Sequence, residues 1–256
     1  MTSDKPIEAA TTTPSGLVIA ASNGQLLLVD PALPGTTIAR IRLANGSDAV
    51  TGVAVNADGR LLAAGTTSGA IHVWDIADPR RPREVATTGE LGSKANVIAF
   101  SPDGRYLAAS SNHGSLLLWN TNAFDPSQVF LMGIYPSKSI TAFAFSPDSK
   151  SISYGVDDGY FYQINVIPGE PQPSVMPTSN ELFPLIRGPV TSIAYSPDNH
   201  MIAVGGADGA IILIRGRSPE ILKTGNVVSI VFSPSANGEF AVATDIGVVQ
   251  RWASNI

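Results

Sequence analysis

The chain has 256 residues, of which 44% are hydrophobic and only 14% charged, with 24 Gly and 19 Pro. It is too apolar for a disordered chain and long enough for one large core or two modest ones. A net charge of −5 argues against a dedicated nucleic-acid binder, and the absence of Cys excludes disulfides, Cys-ligated zinc, iron–sulfur clusters and thiol catalysis.

Residues 1–6 read as a short polar tail without the basic-then-apolar pattern of a secretory signal. From Ile7 onward one segment recurs. A divergent copy covers 7–30, and closer copies cover 50–75, 96–120, 140–165, 190–215 and 227–252. A turn glycine sets the register: Gly24, Gly69, Gly114 and Gly159 follow one another at intervals of 45, then Gly209 and Gly247 at 50 and 38. A second marker, Asp58, Asp103, Asp148 and Asp198, keeps intervals of 45, 45 and 50. Each copy predicts three strands. In the third copy these are Asn96–Phe100, Tyr106–Ser110 and Ser115–Trp119, separated by the turns Ser101-Pro102-Asp103-Gly104 and Asn112-His113-Gly114. Pro presets φ, Asp bonds the turn backbone and Gly accepts a positive φ. A further β candidate lies between copies, as at Val129–Met132 and Ile221–Lys223. That makes four strands per period. Residues 166–189, with six prolines, read as a surface connection between the fourth and fifth copies with limited room for an outer strand. No window carries a 3.6-residue apolar period, so helix should be nearly absent. No run approaches the roughly 18–20 apolar residues of a membrane helix. The expectation is a soluble cytoplasmic protein with no membrane partner.

Four antiparallel strands every ~40–45 residues is the period of a propeller blade, whose faces are covered only when blades stack. The string Ser101–Trp119 with Asn120, and Leu61–Ala64 leading to Val73-Trp74-Asp75, resemble WD-repeat β-propellers, and the resemblance spans roughly 7–252. It is most similar to the degenerate arrays of bacterial multidomain proteins. It implies an all-β fold, a single propeller domain over 7–256 with six blades in this chain. Either a sixth blade that is three-stranded or patched by residues 1–6 completes the ring, or the chain is a truncated seven-bladed propeller. Departures are visible. The Trp position holds Val29, Trp74, Trp119, Ile164, Ile214 and Trp252, and the family's Gly-His pair before the first strand is missing in every copy. The family's Trp–Ser/Thr–His–Asp hydrogen-bond network therefore cannot form as a whole, and apolar packing is expected to hold the blades instead.

No phosphate-binding loop, dinucleotide motif or nucleophile elbow is present. His72, His113 and His200 belong to no metal-binding unit. No catalytic residue, metal ligand or cofactor is assigned. The resemblance marks the lead-in to each first strand as a place where such propellers grip partners, here Asp48, Lys94, Asn96, Ser139, Arg187 and Asn226. The turns between second and third strands place Asn23, Ser68, His113, Asp158, Asp208 and Asp245 at one end, acidic where Asp157 joins them. They could bind a cation, a basic peptide or a small ligand, or simply bond their own turn backbone. At the opposite end, Arg80, Arg81 and Arg83 could dock an acidic partner through bidentate pairs. The alternative there is a solvated connection that Pro79 and Pro82 keep from pairing. Trp74, Trp119 and Trp252 should pack between blades rather than stack on bases. The function expected is a non-catalytic scaffold for a protein or peptide partner. The alternatives are a regulatory module of a larger signalling or ATPase protein, and a lactonase- or hydrolase-like propeller enzyme with an axial metal.

Overall fold

The computed structural model describes residues 7–22, 24–33, 36–43, 48–88, 91–122, 130–133, 138–166, 186–215, 218–235 and 238–253. The tail 1–6, Asn23, Val129 and most of the Pro-rich connection lie outside them. The chain divides into two compact units, residues 1–134 and 135–256. Among the described residues every regular element is a strand, and no helix is long and apolar enough to cross a membrane.

The first unit holds three four-stranded antiparallel sheets, each in chain order. They are β1 (Ala9–Thr12), β2 (Val18–Ser22), β3 (Gln25–Val29) and β4 (Thr37–Arg42); β5 (Val50–Val55), β6 (Leu61–Thr66), β7 (Ile71–Asp75) and β8 (Arg83–Thr88); and β9 (Ala95–Phe100), β10 (Tyr106–Ser111), β11 (Ser115–Asn120) and β12 (Phe130–Gly133). The second unit holds β13 (Ile140–Phe145), β14 (Ser151–Val156) and β15 (Phe161–Asn165); β16 (Val190–Tyr195), β17 (Ile202–Gly206), β18 (Ala210–Arg215) and β19 (Ser218–Lys223); and β20 (Val227–Phe232), β21 (Glu239–Thr244) and β22 (Val249–Ala253). Each copy read from the sequence thus forms the three inner strands of one sheet, and in the four four-stranded sheets the strand between copies is the outermost member. One expectation is corrected. Arg83 does pair, opening β8 opposite Asp75. Pro82 stands just outside the ladder, so its missing N–H costs no sheet hydrogen bond.

Within each unit, neighbouring sheets bury their faces against each other. Ile19, Leu26 and Leu28 of the first sheet meet Val50, Leu62 and Trp74 of the second, and Val73 and Ile71 of the second meet Leu107, Leu117 and Trp119 of the third. In the second unit Ala142 meets Val190 and Val204, and Ala203 and Leu213 meet Val227 and Val242. Covering both faces explains why the second strands are largely apolar, with every residue of β10 and β14 buried, their serines included. Each fully buried Leu or Ile contributes about 1.5–3 kcal/mol.

Close approach needs a hole. The second strands supply one as Gly65, Gly155 and Gly205. A Cβ on Gly65 would meet the Ala95 methyl at 2.8 Å, one on Gly155 the Val190 Cβ at 2.4 Å, and one on Gly205 a Val227 methyl at 2.5 Å. Ala95, Val190 and Val227, the first residues of β9, β16 and β20, therefore seat in the preceding sheet's glycine. A bulge then places one residue of the first strand outside the pairing, at Thr51, Asn96, Thr141, Thr191 and Val228. Two of these cross to the next sheet: Thr141 Oγ1 donates to Val190 O and Thr191 Oγ1 to Val227 O, both at 2.6 Å. Tyr195 adds a buried link, its phenol oxygen 2.5 Å from Ser153 Oγ and accepting from Gln163 Nε2 at 3.1 Å.

In the β20–β22 sheet Ala243 stands at the glycine's position and Val228 at the threonine's, and Val228 and Val231 are 55% and 62% exposed.

Replacing Gly155 with Ala should cost about 1–3 kcal/mol in urea unfolding, because the added methyl overlaps Val190. Gly225→Ala, whose methyl would sit 3.5 Å from Thr244, should stay within about 0.5 kcal/mol of the parent. Equal losses at the two positions would contradict the seating described.

Candidate functional site: the two ends of the sheets

At one end, the second turn of each of the last five sheets closes on the segment that leads into the same sheet's first strand. The amides of Thr67, Asn112, Asp157, Ala207 and Asp245 donate to the carbonyls of Ala49, Lys94, Ser139, Pro189 and Asn226 at 2.9–3.2 Å. Side chains repeat the connection. Asp48 accepts from the Thr67 hydroxyl at 2.5 Å, from the Ser68 amide at 2.9 Å and from the Ser68 hydroxyl. The Ser139 amide donates to Asp157 Oδ2 at 3.2 Å, the Arg187 amide to Asp208 Oδ2 at 3.0 Å, and Asn226 Nδ2 to Asp245 Oδ2 at 2.9 Å. Lys138 pairs with Asp158. The turn glycine then touches the following sheet. Gly69, at φ +89, and Gly159, at φ +88, would each drive a Cβ into a backbone carbonyl, Ser93 O at 2.4 Å and Ile186 O at 2.1 Å. Positive φ and contact together exclude any side chain there.

The two residue sets read separately from the sequence, lead-ins and second turns, are therefore one construction. Asp48, Lys94, Ser139, Arg187, Asn226, Asp158, Asp208 and Asp245 all belong to it. His113 lies in its turn with an exposed ring, its amide donating to Ser111 Oγ at 3.3 Å. Asn96 does not belong to the lead-in: it is the bulge residue within β9. Asn23 lies outside the described residues. The carboxylates are used locally and do not gather. Among the described residues no group of three or more His, Asp or Glu could hold a metal.

The charges are tuned accordingly. Burial alone would push the Asp48 carboxyl up, but hydrogen bonds from Ser68 and Thr67 outweigh it and hold it low. Asp208 follows the same pattern, with burial opposed by the amides of Arg187 and Ala210 and by Lys223. Sequence reasoning expected apolar packing to replace the family network. The structure shows apolar packing joined by these end clasps and the threonine crossings. The tryptophans are packed as expected, Trp74 and Trp119 nearly fully, and the buried indole nitrogens of Trp119 and Trp252 have no hydrogen-bond partner.

The opposite end carries the first turns. In Ser101-Pro102-Asp103 the serine hydroxyl donates to Asp103 Oδ1 at 2.6 Å and accepts from the Tyr106 amide at 3.0 Å. Ser146 and Ser196 repeat this with Asp148 and Asp198. Between the first turns of the second and third sheets lies a groove of ≈ 470 Å³, lined by Asp58, Arg60, Asp75, Arg83, Val85 and Asn122 among others. A recess of ≈ 300 Å³ continues it past Pro102, Asp103 and Arg105. Asp75 Oδ2 accepts from Arg60 Nη2 at 3.2 Å, and its Oδ1 from the Ala77 amide at 2.9 Å. The Ala77 amide foremost, then Arg60 against some burial, holds the Asp75 carboxyl low. Arg60 and Arg105 went unnoticed in the sequence. Their signal was a shared place, each directly following an Asp-Gly turn.

Asp48→Asn should cost about 1–2 kcal/mol, the low range for charge-assisted hydrogen bonds at a partly exposed site. Its folded carboxyl lies below the unfolded value of 3.8. The contribution is therefore complete above that value and is lost as pH falls through the lower folded one. Denaturant titrations should show the difference between parent and variant shrinking below about pH 4; a difference that grows on acidification would refute this assignment.

Three segments, residues 39–75, 86–120 and 184–214, match the family model described as WD domain, G-beta repeat. No curated protein sequence matches the chain. Two solved structures of Sqt1 from Chaetomium thermophilum are similar in fold, each at 18% identity. One, bound to the N-terminus of the ribosomal protein L10, has a TM-score of 0.76 over 96% of this chain and 72% of that one. The other has a TM-score of 0.78 over 99% and 70%. These three segments therefore carry WD40 repeats, and the all-β fold is of the WD-repeat propeller type, its six sheets fitting six blades.

Proposed function

We propose that the chain is a non-catalytic scaffold that presents its turn-bearing ends to a protein or peptide partner. The observation that carries this reading is the clasping of strand ends. Carboxylates and hydroxyls that would serve as acids, bases or nucleophiles elsewhere are engaged in closing turns, as with Asp48 on Thr67 and Ser68. Turns closed this way project from sheets packed on both faces and are held in fixed positions. Fixed loops lower the ordering cost of association. Support comes also from the similar fold of Sqt1, which in one solved structure is bound to the N-terminus of a ribosomal protein. The net charge of −5 supports a partner other than nucleic acid.

Immobilised intact chain, incubated with lysate of its source cells and analysed by quantitative mass spectrometry, should retain at least one protein that free soluble chain competes away. The retained protein, once purified, should bind with a Kd of about 1 μM or tighter. Retention no greater than on an unrelated acidic propeller would refute the scaffold reading.

A further inference from the structure

The groove between the first turns of the second and third sheets has a polarity that its composition hides. Its aspartates are committed to this chain. Asp58 Oδ1 accepts the Arg60 amide at 2.8 Å. Asp75 is held by the Ala77 amide and the Arg60 guanidinium. Asp103 Oδ1 accepts from Ser101 Oγ and from the Arg105 amide at 3.0 Å. These carboxylates form the turns. The arginines are disposed differently. Arg60 and Arg105 are paired but keep 64% and 63% of their side chains exposed. Arg83 lines the groove, is exposed and makes none of the close ion pairs found among the described residues, though its charge helps hold Asp75 ionised. Arg80 and Arg81 are exposed on the β7–β8 connection that leads into it. The groove thus presents exposed guanidinium groups beside carboxylates that are each engaged within the chain.

We infer that this groove is a docking site for an acidic, extended peptide segment whose carboxylates pair with Arg83 and, in the recess, Arg105. The inference rests on the scaffold reading and assigns its partner surface. Charge complementarity selects the occupant. A guanidinium takes a carboxylate through two parallel hydrogen bonds, and half-occupied Arg60 can share one with Asp75. The ≈ 470 Å³ groove and the ≈ 300 Å³ recess suit a few side chains in line. Exposed Val85 supplies apolar contact beside the charges.

The test uses the intact chain and fluorescein-labelled peptides read by anisotropy. One peptide carries three consecutive glutamates, a second has them replaced by glutamine, and a third carries phosphoserines instead. The glutamate peptide should bind at least about tenfold more tightly than the glutamine peptide at low salt, and this advantage should fall steeply by about 0.5 M NaCl, where exposed charges are screened. Arg83→Glu, and independently the double variant Arg80→Glu/Arg81→Glu, should weaken binding of the glutamate peptide. Lys150→Glu, the same charge change on the second unit, should not. Unfolding curves of all variants check that each is folded. Equal binding of the glutamate and glutamine peptides, binding by the phosphoserine peptide alone, or loss in Lys150→Glu as large as in Arg83→Glu would each overturn the inference. If the partner captured by the intact chain is retained equally by Arg83→Glu, the groove assignment falls while the scaffold reading stands.

Discussion

A sheet that is apolar on both faces is not stable alone in water, and every other feature of this chain follows from how that is resolved. The sheets must approach closely enough for the first strand of one to enter the second strand of the next. Gly65, Gly155 and Gly205 are the holes that permit this, and Ala95, Val190 and Val227 are what fills them. The bulge beside each seated residue frees one side chain from the ladder. In Thr141 and Thr191 that side chain becomes a hydrogen bond to the neighbouring sheet. Packing and polar cross-links are thus set by one local geometry, repeated along the chain.

The ends of the sheets meet a different requirement. Backbone groups at strand ends lose their ladder partners and must find others. Here they do so by closing second turns onto lead-in segments, with Asp48, Asp157, Asp208 and Asp245 reinforcing the contact. Family-type Gly-His pairs are absent, yet the mechanical task is still performed by a carboxylate and a short polar turn. This is why an acidic cluster that looks like a binding ring in sequence is a set of separate clasps in space. It is also why the opposite end, where aspartates are spent inside first turns, leaves arginines as its outward chemistry.

Much of this was legible in the residues. The 45-residue beat of Gly and Asp located the turns, and the short β-rich runs located the three inner strands of each sheet, while outer strands such as β4 and β8 were not placed. The fate of individual polar residues was not legible, because it depends on which strands lie side by side. Residues 80–83 read as a solvated connection that Pro79 and Pro82 keep out of the sheet, but Arg83 opens β8 opposite Asp75 in the ladder. Arg60 and Arg105 lie 45 residues apart and face one groove only because their sheets pack against each other.

The sequence by itself determined the all-β class, the repeat, the turn positions and the apolar strands that must be covered on both sides. These are local properties, carried by φ-permissive glycines, turn-forming Ser-Pro-Asp strings and runs of aliphatic residues. Only the tertiary structure decided which carboxylates are consumed and which guanidinium remains available, since hydrogen-bond partners come from other strands and other sheets. Part of the composition acquires its meaning there: many aspartates close turns at the strand ends, and three of the glycines are where one sheet enters the next.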